Sequence, residues 1–318
     1  MNIIPNEYTV QQMVQQYRSE KVVLPDDRIQ DLSSIYLTDN LNAIINDLYL
    51  LREKVDSHFL ELRKKEGRGQ VNLEPEFSRR LAKYPLGCCL EITRQTLAFV
   101  QQEIHSSTYE SMHWFRSFGN NGGFIRRVWG SLRGEYFQNA IQAGSFYIDV
   151  ANDTVDPSKE KIEVLPFEVS GFNSINSYAQ FVSVAESYWR CQMIPNIFFL
   201  ELAPFFPIIL FHEDGHVLLE SNNVYMFSMN LESKYNLALD YVLSCDLESA
   251  KFCELRGKLN NVERSLREKI GTSFGPYTSV FDKEKLLKSF TAFQNLNDRD
   301  LDLKVKNVLN KNLLIGRC

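Results

Sequence analysis

The strongest constraint on the fold is a change of hydrophobic periodicity within the first half of the chain. Apolar residues recur every three or four positions over residues 27–65, which predicts helix. Further along, short apolar runs typical of strands lie at residues 124–129, 136–142 and 146–150. The last two runs are separated by Ala-Gly-Ser at 143–145, which predicts a tight hairpin. Helices followed by a small antiparallel sheet predict an α+β fold.

The same patterns divide the chain into three predicted regions. Residues 1–78 form a helical N-terminal region, residues 79–165 a central helix plus small antiparallel sheet, and residues 166–318 a mixed, then mostly helical, extension. The charged, glycine-containing stretch at 63–69 (RKKEGRG) is predicted to be a linker. Within the extension, helical periodicity covers 174–190, 236–270, 283–293 and 301–313.

Composition narrows the class of protein. Hydrophobic residues make up 44% of the chain and charged residues 24%, which is typical of a soluble globular protein. A net charge of -5 argues against a nucleic-acid or membrane partner. Six cysteines without a C-x-x-C pair, and no secretory signal over residues 1–18, predict a reduced, cytoplasmic location. The longest apolar run, 194–211, contains three prolines and Glu201, so it does not predict a membrane span.

A candidate nucleophile stands at the start of the central helix. The stretch YPLGCC ends at Cys89, just before the helical pattern begins. A thiol there faces unpaired backbone N–H groups and the positive end of the helix dipole, which stabilise a reactive thiolate. Such a cysteine needs a histidine as base and a third group to orient that base. The alternative is that Cys89 is a small buried core residue.

Two segments, YPLGCCLEIT at 84–93 and VWGSLRGEYFQNAIQAGSFYIDVANDTVD at 128–156, resemble the bacterial branch of the transglutaminase-like (papain-like) cysteine superfamily. The resemblance spans about residues 83–155, and its matching positions are Pro85, Gly87, Cys89, Thr93, Gly144, Ile148, Asp149 and Asp153. It implies a transglutaminase-like core in which Cys89 is the nucleophile and Asp149 orients the base. It also implies acyl transfer without a cofactor, as hydrolysis, deamidation or transamidation of an amide bond in a protein or peptide.

The chain departs from this family at the base. Eleven residues before the aspartate, where the family places histidine, this chain has Gln138, followed by Asn139. An amide cannot take a proton from a thiol, so in the enzymatic interpretation Gln138 would donate a hydrogen bond to the oxyanion. Three explanations stay open. Another histidine, with His113 and His212 as candidates, supplies the base; the helix terminus ionises Cys89 alone; or the chain is a catalytically inactive module that binds a protein or peptide.

A second motif, HEDGH at residues 212–216, matches H-E-x-x-H. On a helix, His212 and His216 would share one face and could hold zinc, with Glu213 activating a bound water. Glu248 or Asp246 would be the third ligand, as in the gluzincin metallopeptidases that this patch also resembles.

The residues around the motif favour a different structure. Asp214-Gly215 is typical of a two-residue hairpin turn with positive φ at both residues. The flanking segments 207–211 and 217–219 are apolar and strand-like, and prolines at 204 and 207 disfavour a long helix. We therefore predict a β-hairpin and no bound metal, so that zinc belongs only to the metallopeptidase alternative.

Overall fold

The computed structural model describes residues 9–106, 109, 111–220, 224–269, 277–278, 280–309 and 314–317. The chain divides into two compact units. The central unit is Ser19–Ser174, and the flanking unit combines Met1–Arg18 with Ile175–Cys318. These boundaries differ from the three predicted regions, because the N-terminal helices from residue 19 onward belong to the same unit as the sheet.

The helices of the central unit precede its sheet. They are α2 (Asp27–Ser33), a π-helical turn (Ser34–Thr38), α3 (Leu41–Gly67), α4 (Pro75–Leu81), α5 (Cys89–Ser106) and α6 (Met112–Asn120). The helix before them, α1 (Val10–Glu20), belongs to the flanking unit up to Arg18. The side chain of Asp26 caps α2 by accepting a hydrogen bond from the Ile29 N–H. The linker prediction for 63–69 is wrong over its first five residues, since α3 continues to Gly67. Lys64 and Lys65 lie in its last turn, where the helix dipole favours cations.

The sheet of the central unit has five antiparallel strands. They are β1 (Ile125–Leu132), β2 (Tyr136–Ala143), β3 (Phe146–Asp149), β4 (Glu163–Pro166) and β5 (Phe172–Ser174), in the order β4-β3-β2-β1-β5. The predicted runs are confirmed as β1, β2 and β3. Ala143 pairs with Phe146, so Gly144 and Ser145 form the two-residue loop, and Gly144 takes a φ of 54°.

Each face of this sheet covers a different core. Side chains alternate between the faces along a strand. Ile141 and Ile148 pack into the core that α3, α5 and α6 share, whereas Ala140 and Tyr147 belong to a smaller cluster on the other face. Neighbouring residues of β2 therefore lie on opposite faces, and only every second side chain contacts the helices.

The flanking unit combines a second sheet with helices. Its elements are α7 (Tyr178–Tyr188), β6 (Cys191–Pro195), β7 (Ile208–His212), β8 (His216–Glu220), α8 (Val224–Glu232), α9 (Asn236–Ser244), α10 (Ala250–Lys269), α11 (Lys283–Gln294), α12 (Asp298–Leu309) and β9 (Leu314–Arg317). The antiparallel order is β6-β7-β8-β9. Together the two units confirm the α+β class.

Two helix boundaries in this unit differ from the sequence prediction. The helix predicted over 236–270 is two helices, α9 and α10, with a break at residues 245–249. The last predicted helix begins at Asp298 instead of 301, and its predicted end at 310–313 lies outside the described residues, as does residue 270. In the described part of the chain, none of the helices has both the length and the apolar character that crossing a bilayer requires.

Candidate functional site around Cys89

Cys89 is the first residue of α5 and follows a tight turn. The Tyr84–Pro85 peptide bond of this turn is cis, and Gly87 takes a φ of 71°. The Gly87 N–H donates a hydrogen bond of 3.0 Å to the carbonyl of Thr154. The proline and glycine therefore form the turn that the sequence predicts, and the backbone after β3 holds it in place.

A buried arginine of α3 anchors the segment that follows β3. Arg52 is 1% exposed and donates to both carboxylate oxygens of Asp153, at 2.9 and 3.1 Å. It also donates to the Val150 carbonyl at 3.0 Å and to Asp56 at 3.0 Å. Tyr84, in the turn before α5, donates its hydroxyl to the same Asp56. Bidentate pairs of this kind fix geometry, so Asp153 has a structural role.

The sulfur of Cys89 lies against an amide. Asn139 Nδ2 lies 3.4 Å from Cys89 Sγ. On its other side, Asn139 Oδ1 accepts a hydrogen bond of 2.8 Å from Arg127 Nη1, and the Asn139 carbonyl accepts one of 3.0 Å from the Thr93 hydroxyl. Because a guanidinium can only donate, Oδ1 must face Arg127 and the amide N–H₂ must face the sulfur.

The surroundings of Cys89 keep its thiol protonated. Burial raises the pKa of Cys89 above its ordinary value, and the charges of Glu91 and Asp149 raise the pKa further. The side-chain and backbone N–H groups of Asn139 act in the opposite direction, but the net effect is an increase. Within the described residues, no imidazole is in hydrogen-bond contact with this sulfur.

Asp149 is fully buried and has hydrogen-bond donors on both carboxylate oxygens. Gln138 Nε2 donates to Oδ2 at 2.6 Å and the Tyr147 hydroxyl donates to the same oxygen at 3.1 Å. The Ala151 N–H donates to Oδ1 at 2.8 Å. Burial nevertheless raises the pKa of Asp149 to about 6. The spacing-based association of Gln138 with Asp149 thus corresponds to a direct hydrogen bond.

Strand alternation separates this pair from Cys89. Gln138 is in phase with Ala140, on the face away from the helical core, whereas Asn139 is in phase with Ile141 and faces α5. The residue that meets the sulfur is therefore Asn139, and Gln138 has its hydrogen bonds with Asp149 and the nearby backbone. In the sequence, Asn139 stands out only as the neighbour of Gln138, and nothing indicates Arg127. The period-2 alternation of β2 puts Gln138 and Asn139 on opposite faces, but which face α5 covers is set only by the fold.

The two other histidines considered as bases lie elsewhere. His113 is on α6, with its ring centroid 4.2 Å from that of Trp114. His212 belongs to the flanking unit, at the end of β7. In the described residues, neither of them hydrogen-bonds to Cys89.

The HEDGH motif forms the predicted hairpin. β7 ends at His212 and β8 begins at His216, and the Gly215 N–H donates to the His212 carbonyl at 2.9 Å. Positive φ occurs at Gly215 (87°) but not at Asp214. The prediction of a two-residue turn is therefore wrong in detail, because the loop between the strands has three residues, 213–215. A type I turn followed by a left-handed glycine accounts for this geometry.

The hairpin contradicts the zinc-helix alternative. His212 and His216 are cross-strand neighbours, and their Nδ1 atoms lie 3.1 and 2.8 Å from Oδ1 of Asp214, between them. Glu248 lies before α10, where its N–H donates to Asp246 Oδ1 at 2.9 Å. Among the residues that the structure describes, no group of three or more His, Cys, Asp or Glu side chains is arranged to hold a metal ion.

Comparison with protein-family models, with curated proteins and with solved structures gives no match to this chain. The transglutaminase-like resemblance therefore depends on the residues of the central unit alone and stays a prediction.

Proposed function

We propose that the central unit is a catalytically inactive, transglutaminase-like module that binds a protein or peptide partner. The observation that carries this proposal is the 3.4 Å contact between Cys89 Sγ and Asn139 Nδ2. In a cysteine acyl-transfer enzyme, an imidazole at this place would take the thiol proton. A carboxamide cannot do so, because its nitrogen carries no basic lone pair.

The remaining groups support the same conclusion. The pKa of Cys89 is raised, mainly by burial, so the thiol stays protonated and weakly nucleophilic at neutral pH. Asp149, which would orient a base, accepts hydrogen bonds from Gln138 and Tyr147 instead. The position at which the chain departs from the family is thus the base, where amides, Gln138 by spacing and Asn139 by contact, stand in place of the imidazole, while Cys89 and Asp149 match the resemblance.

The setting of the module is part of the proposal. We propose a cytoplasmic location, which is supported by free thiols at the five cysteines that the structure describes. A net charge of -5 supports a partner that is neither nucleic acid nor membrane.

One observation favours a second candidate, a cysteine-dependent acyl transferase. Cys89 stands at the N-terminus of α5, and both N–H donors of Asn139 lower the pKa of its thiol. In this mechanism the Cys89 thiolate would attack an amide carbonyl, the C–N bond would break, and the departing amine would take a proton from water. The acyl group would then pass from sulfur to water or to another amine.

The pH dependence of Cys89 alkylation separates the two candidates. We would measure the rate of reaction with iodoacetamide from pH 5 to 10, using Cys89→Ser to subtract the other cysteines. For the binding module we expect an apparent thiol pKa above the ordinary value of 9.0. An apparent pKa below about 7 would contradict it and support the enzyme, since reactive cysteines have pKa values of about 3.5–7.5.

A matched pair of variants extends the same experiment. Asn139→His places an imidazole beside the sulfur, so the alkylation rate at pH 7 should rise about tenfold or more. Gln138→His places an imidazole on the opposite face of β2 and should leave the rate unchanged. Equal effects of the two substitutions would show that the assignment of Asn139 to the Cys89 side of the sheet is wrong.

A further inference from the structure

A buried ion pair stands behind Asn139 and connects the Cys89 site to the end of α1. Arg127 Nη1 donates to Asn139 Oδ1 at 2.8 Å, and Arg127 Nη2 donates to Oε1 of Glu20, the last residue of α1. The side chains of Arg127 and Glu20 are only 9% and 12% exposed, so water and salt screen this pair little. With the contact between Asn139 and Cys89, a continuous series of hydrogen bonds leads from Glu20 to the sulfur.

Arg127 determines which end of the Asn139 amide faces the sulfur. A half-turn of a carboxamide exchanges its oxygen and its N–H₂ group with almost no change in shape. With the oxygen towards Cys89, the amide would accept from the S–H and stabilise the neutral thiol. With the N–H₂ group there, it stabilises the thiolate. Arg127 can only donate, so it holds the oxygen and directs the N–H₂ group to Sγ.

Glu20 keeps the guanidinium of Arg127 in place. Burial lowers the pKa of Arg127, the carboxylate of Glu20 raises it, and the nearby charge of Arg94 lowers it further. Without Glu20, Arg127 would be a buried cation with a second cation nearby, and such a side chain gains hydration by moving away from Asn139 towards water. The carboxylate therefore stabilises the arrangement in which Arg127 contacts Asn139.

The residues after Glu20 are attached to the same sheet. The Val23 N–H donates to Gln142 Oε1 at 3.1 Å, and the Val23 carbonyl accepts from Gln142 Nε2 at 2.6 Å. The Lys21 carbonyl accepts from Arg126 Nη1 at 3.2 Å. These contacts hold the connection between α1 and α2 on β1 and β2, so the fold of the central unit sets the place of Glu20.

We propose that Arg127 and Glu20 are positioning residues for Cys89. Acting through Asn139, they keep a hydrogen-bond donor against the sulfur, so that the chemical state of the thiol depends on a carboxylate at the end of α1. This deepens the proposed function and rests on it only in taking Cys89 and Asn139 as the centre of the site. In a binding module, a partner that separates Glu20 from Arg127 would change the polarity of that centre.

Other groups around Cys89 act on the same thiol. Burial is the main cause of its raised pKa, and the charges of Glu91 on α5 and Asp149 on β3 raise the pKa further. The adjacent thiol of Cys88 also interacts with it. Arg127, on β1, is a cation whose charge favours the thiolate. Loss of Arg127 therefore acts on Cys89 in two ways, through the amide and through its charge, and both raise the pKa of the thiol.

The apparent pKa of Cys89 tests this assignment, measured in the intact protein from the pH dependence of alkylation by iodoacetamide. Arg127→Met should raise this pKa by about one unit or more, because the thiolate loses its oriented donor. A loosened structure would have the opposite effect, since hydration of the thiol lowers its pKa towards the ordinary value of 9.0. Glu20→Ala should raise the pKa by less. Glu20→Gln should keep the wild-type value, because its amide oxygen still accepts from Arg127.

A double-mutant cycle separates the two ways in which Arg127 acts. Asn139→Leu removes the amide, so in that background Arg127→Met should raise the pKa by about half as much as in the wild type or less, the remainder being due to charge. Arg126→Met is the matched control. Arg126 is the next residue of β1 and contacts the same connection, but among the described residues it has no hydrogen bond with Asn139. Its replacement should leave the pKa of Cys89 unchanged.

Three results would overturn the assignment: Arg127→Met leaves the pKa of Cys89 unchanged or lowers it, the shift is equal in both backgrounds of the cycle, or Arg126→Met has the same effect. Melting temperatures identify variants that do not fold. If Arg127→Met is one of them, equal pKa values in Glu20→Ala and Glu20→Gln would contradict the proposal. The wild-type pH profile separates the binding module from the acyl transferase, whereas only differences between variants bear on Arg127 and Glu20.

Discussion

Asp149 is a buried carboxylate that is compensated by hydrogen bonds alone. Its donors are the Gln138 amide, the Tyr147 hydroxyl and the Ala151 N–H, and none of these groups carries a charge. Three neutral donors do not offset the loss of hydration, so the pKa of Asp149 is raised to about 6. The carboxylate of the Cys89 site is therefore a source of pH-dependent instability.

The stability of the protein should change with pH through this group. An acid whose pKa is higher in the folded state contributes stability that is complete below the unfolded value of 3.8 and is lost as the pH rises through about 6. The contribution lost between pH 3 and 7 is about 3 kcal/mol. Urea unfolding at several pH values should show this slope in the wild type and not in Asp149→Asn. Asp156→Asn, at an exposed position, should retain it, and identical slopes for wild type and Asp149→Asn would contradict the assignment.

Part of the Cys89 site was predictable from local sequence. The turn before α5 and the association of Gln138 with Asp149 follow from residue types and spacing. The contact between Asn139 and Cys89 does not, because it depends on which face of β2 the helix α5 covers. The Arg127 contact with Asn139 depends in addition on the register of β1 and β2, in which Trp129 is opposite Asn139. Neither of these is encoded in a short stretch of sequence.

At the scale of elements, the two hairpins of the central sheet contain turn glycines with different surroundings. Gly134 and Gly144 take φ values of 72° and 54°. A Cβ atom on Gly144 would lie 2.3 Å from Ser33 Oγ and 2.7 Å from Phe118 Cζ, whereas one on Gly134 would have nothing within 4 Å. The first turn is therefore constrained by backbone conformation alone, and the second also by packing against α2 and α6.

Alanine at the two glycines should separate these effects. Gly134→Ala should lower the free energy of unfolding by about 1–2 kcal/mol, which is the cost of a left-handed conformation for a residue with a Cβ atom. Gly144→Ala should cost about 2–4 kcal/mol, because overpacking against Ser33 and Phe118 is added. Urea denaturation of both variants measures the difference. Equal losses would mean that the space around Gly144 adjusts freely.

The elements that the sequence predicted well have strong local signals. Strands β1, β2, β3, β7 and β8 are short apolar runs bounded by turn residues, and tertiary packing reinforces the same pattern. The break between α9 and α10 was missed because helical periodicity continues across it. The signals for it are polar: Asp246 Oδ1 accepts from the Glu248 N–H, and Ser249 Oγ accepts from the Phe252 N–H at 3.3 Å. Side chains that cap the N-terminus of a helix set where it starts, even where the apolar spacing continues across that point.

At the scale of the whole molecule, the central unit has a core that two distant segments build. Leu48, Leu51 and Val55 of α3 are buried in the same cluster as Ile92 of α5 and Ile141 of β2. The sequence placed α3 in a separate region because its periodicity shows only that it has an apolar face. What that face packs against is a property of the folded chain.

Two fragments should therefore behave differently. A fragment of residues 19–174 should fold cooperatively on its own, because it contains both segments of the core. A fragment of residues 79–165, the region first predicted from sequence, lacks α3 and should stay unfolded, since its apolar surface has no cover. Circular dichroism and thermal unfolding of both fragments provide the measurement. A cooperative transition in the shorter fragment would show that α3 is dispensable for the core.

The flanking unit is built from two separate stretches of the chain, and this affects the order in which its contacts can form during translation. The Val10 N–H, at the start of α1, donates a hydrogen bond of 2.7 Å to Asp302 in α12, across 292 positions of sequence. Chains leave the ribosome from the N-terminus, so α1 is made long before this partner exists. The residues of the central unit are complete in the meantime and can fold first. Residues 10–18 of α1 are thus synthesised before the central unit but can contact α12 only after that unit is complete.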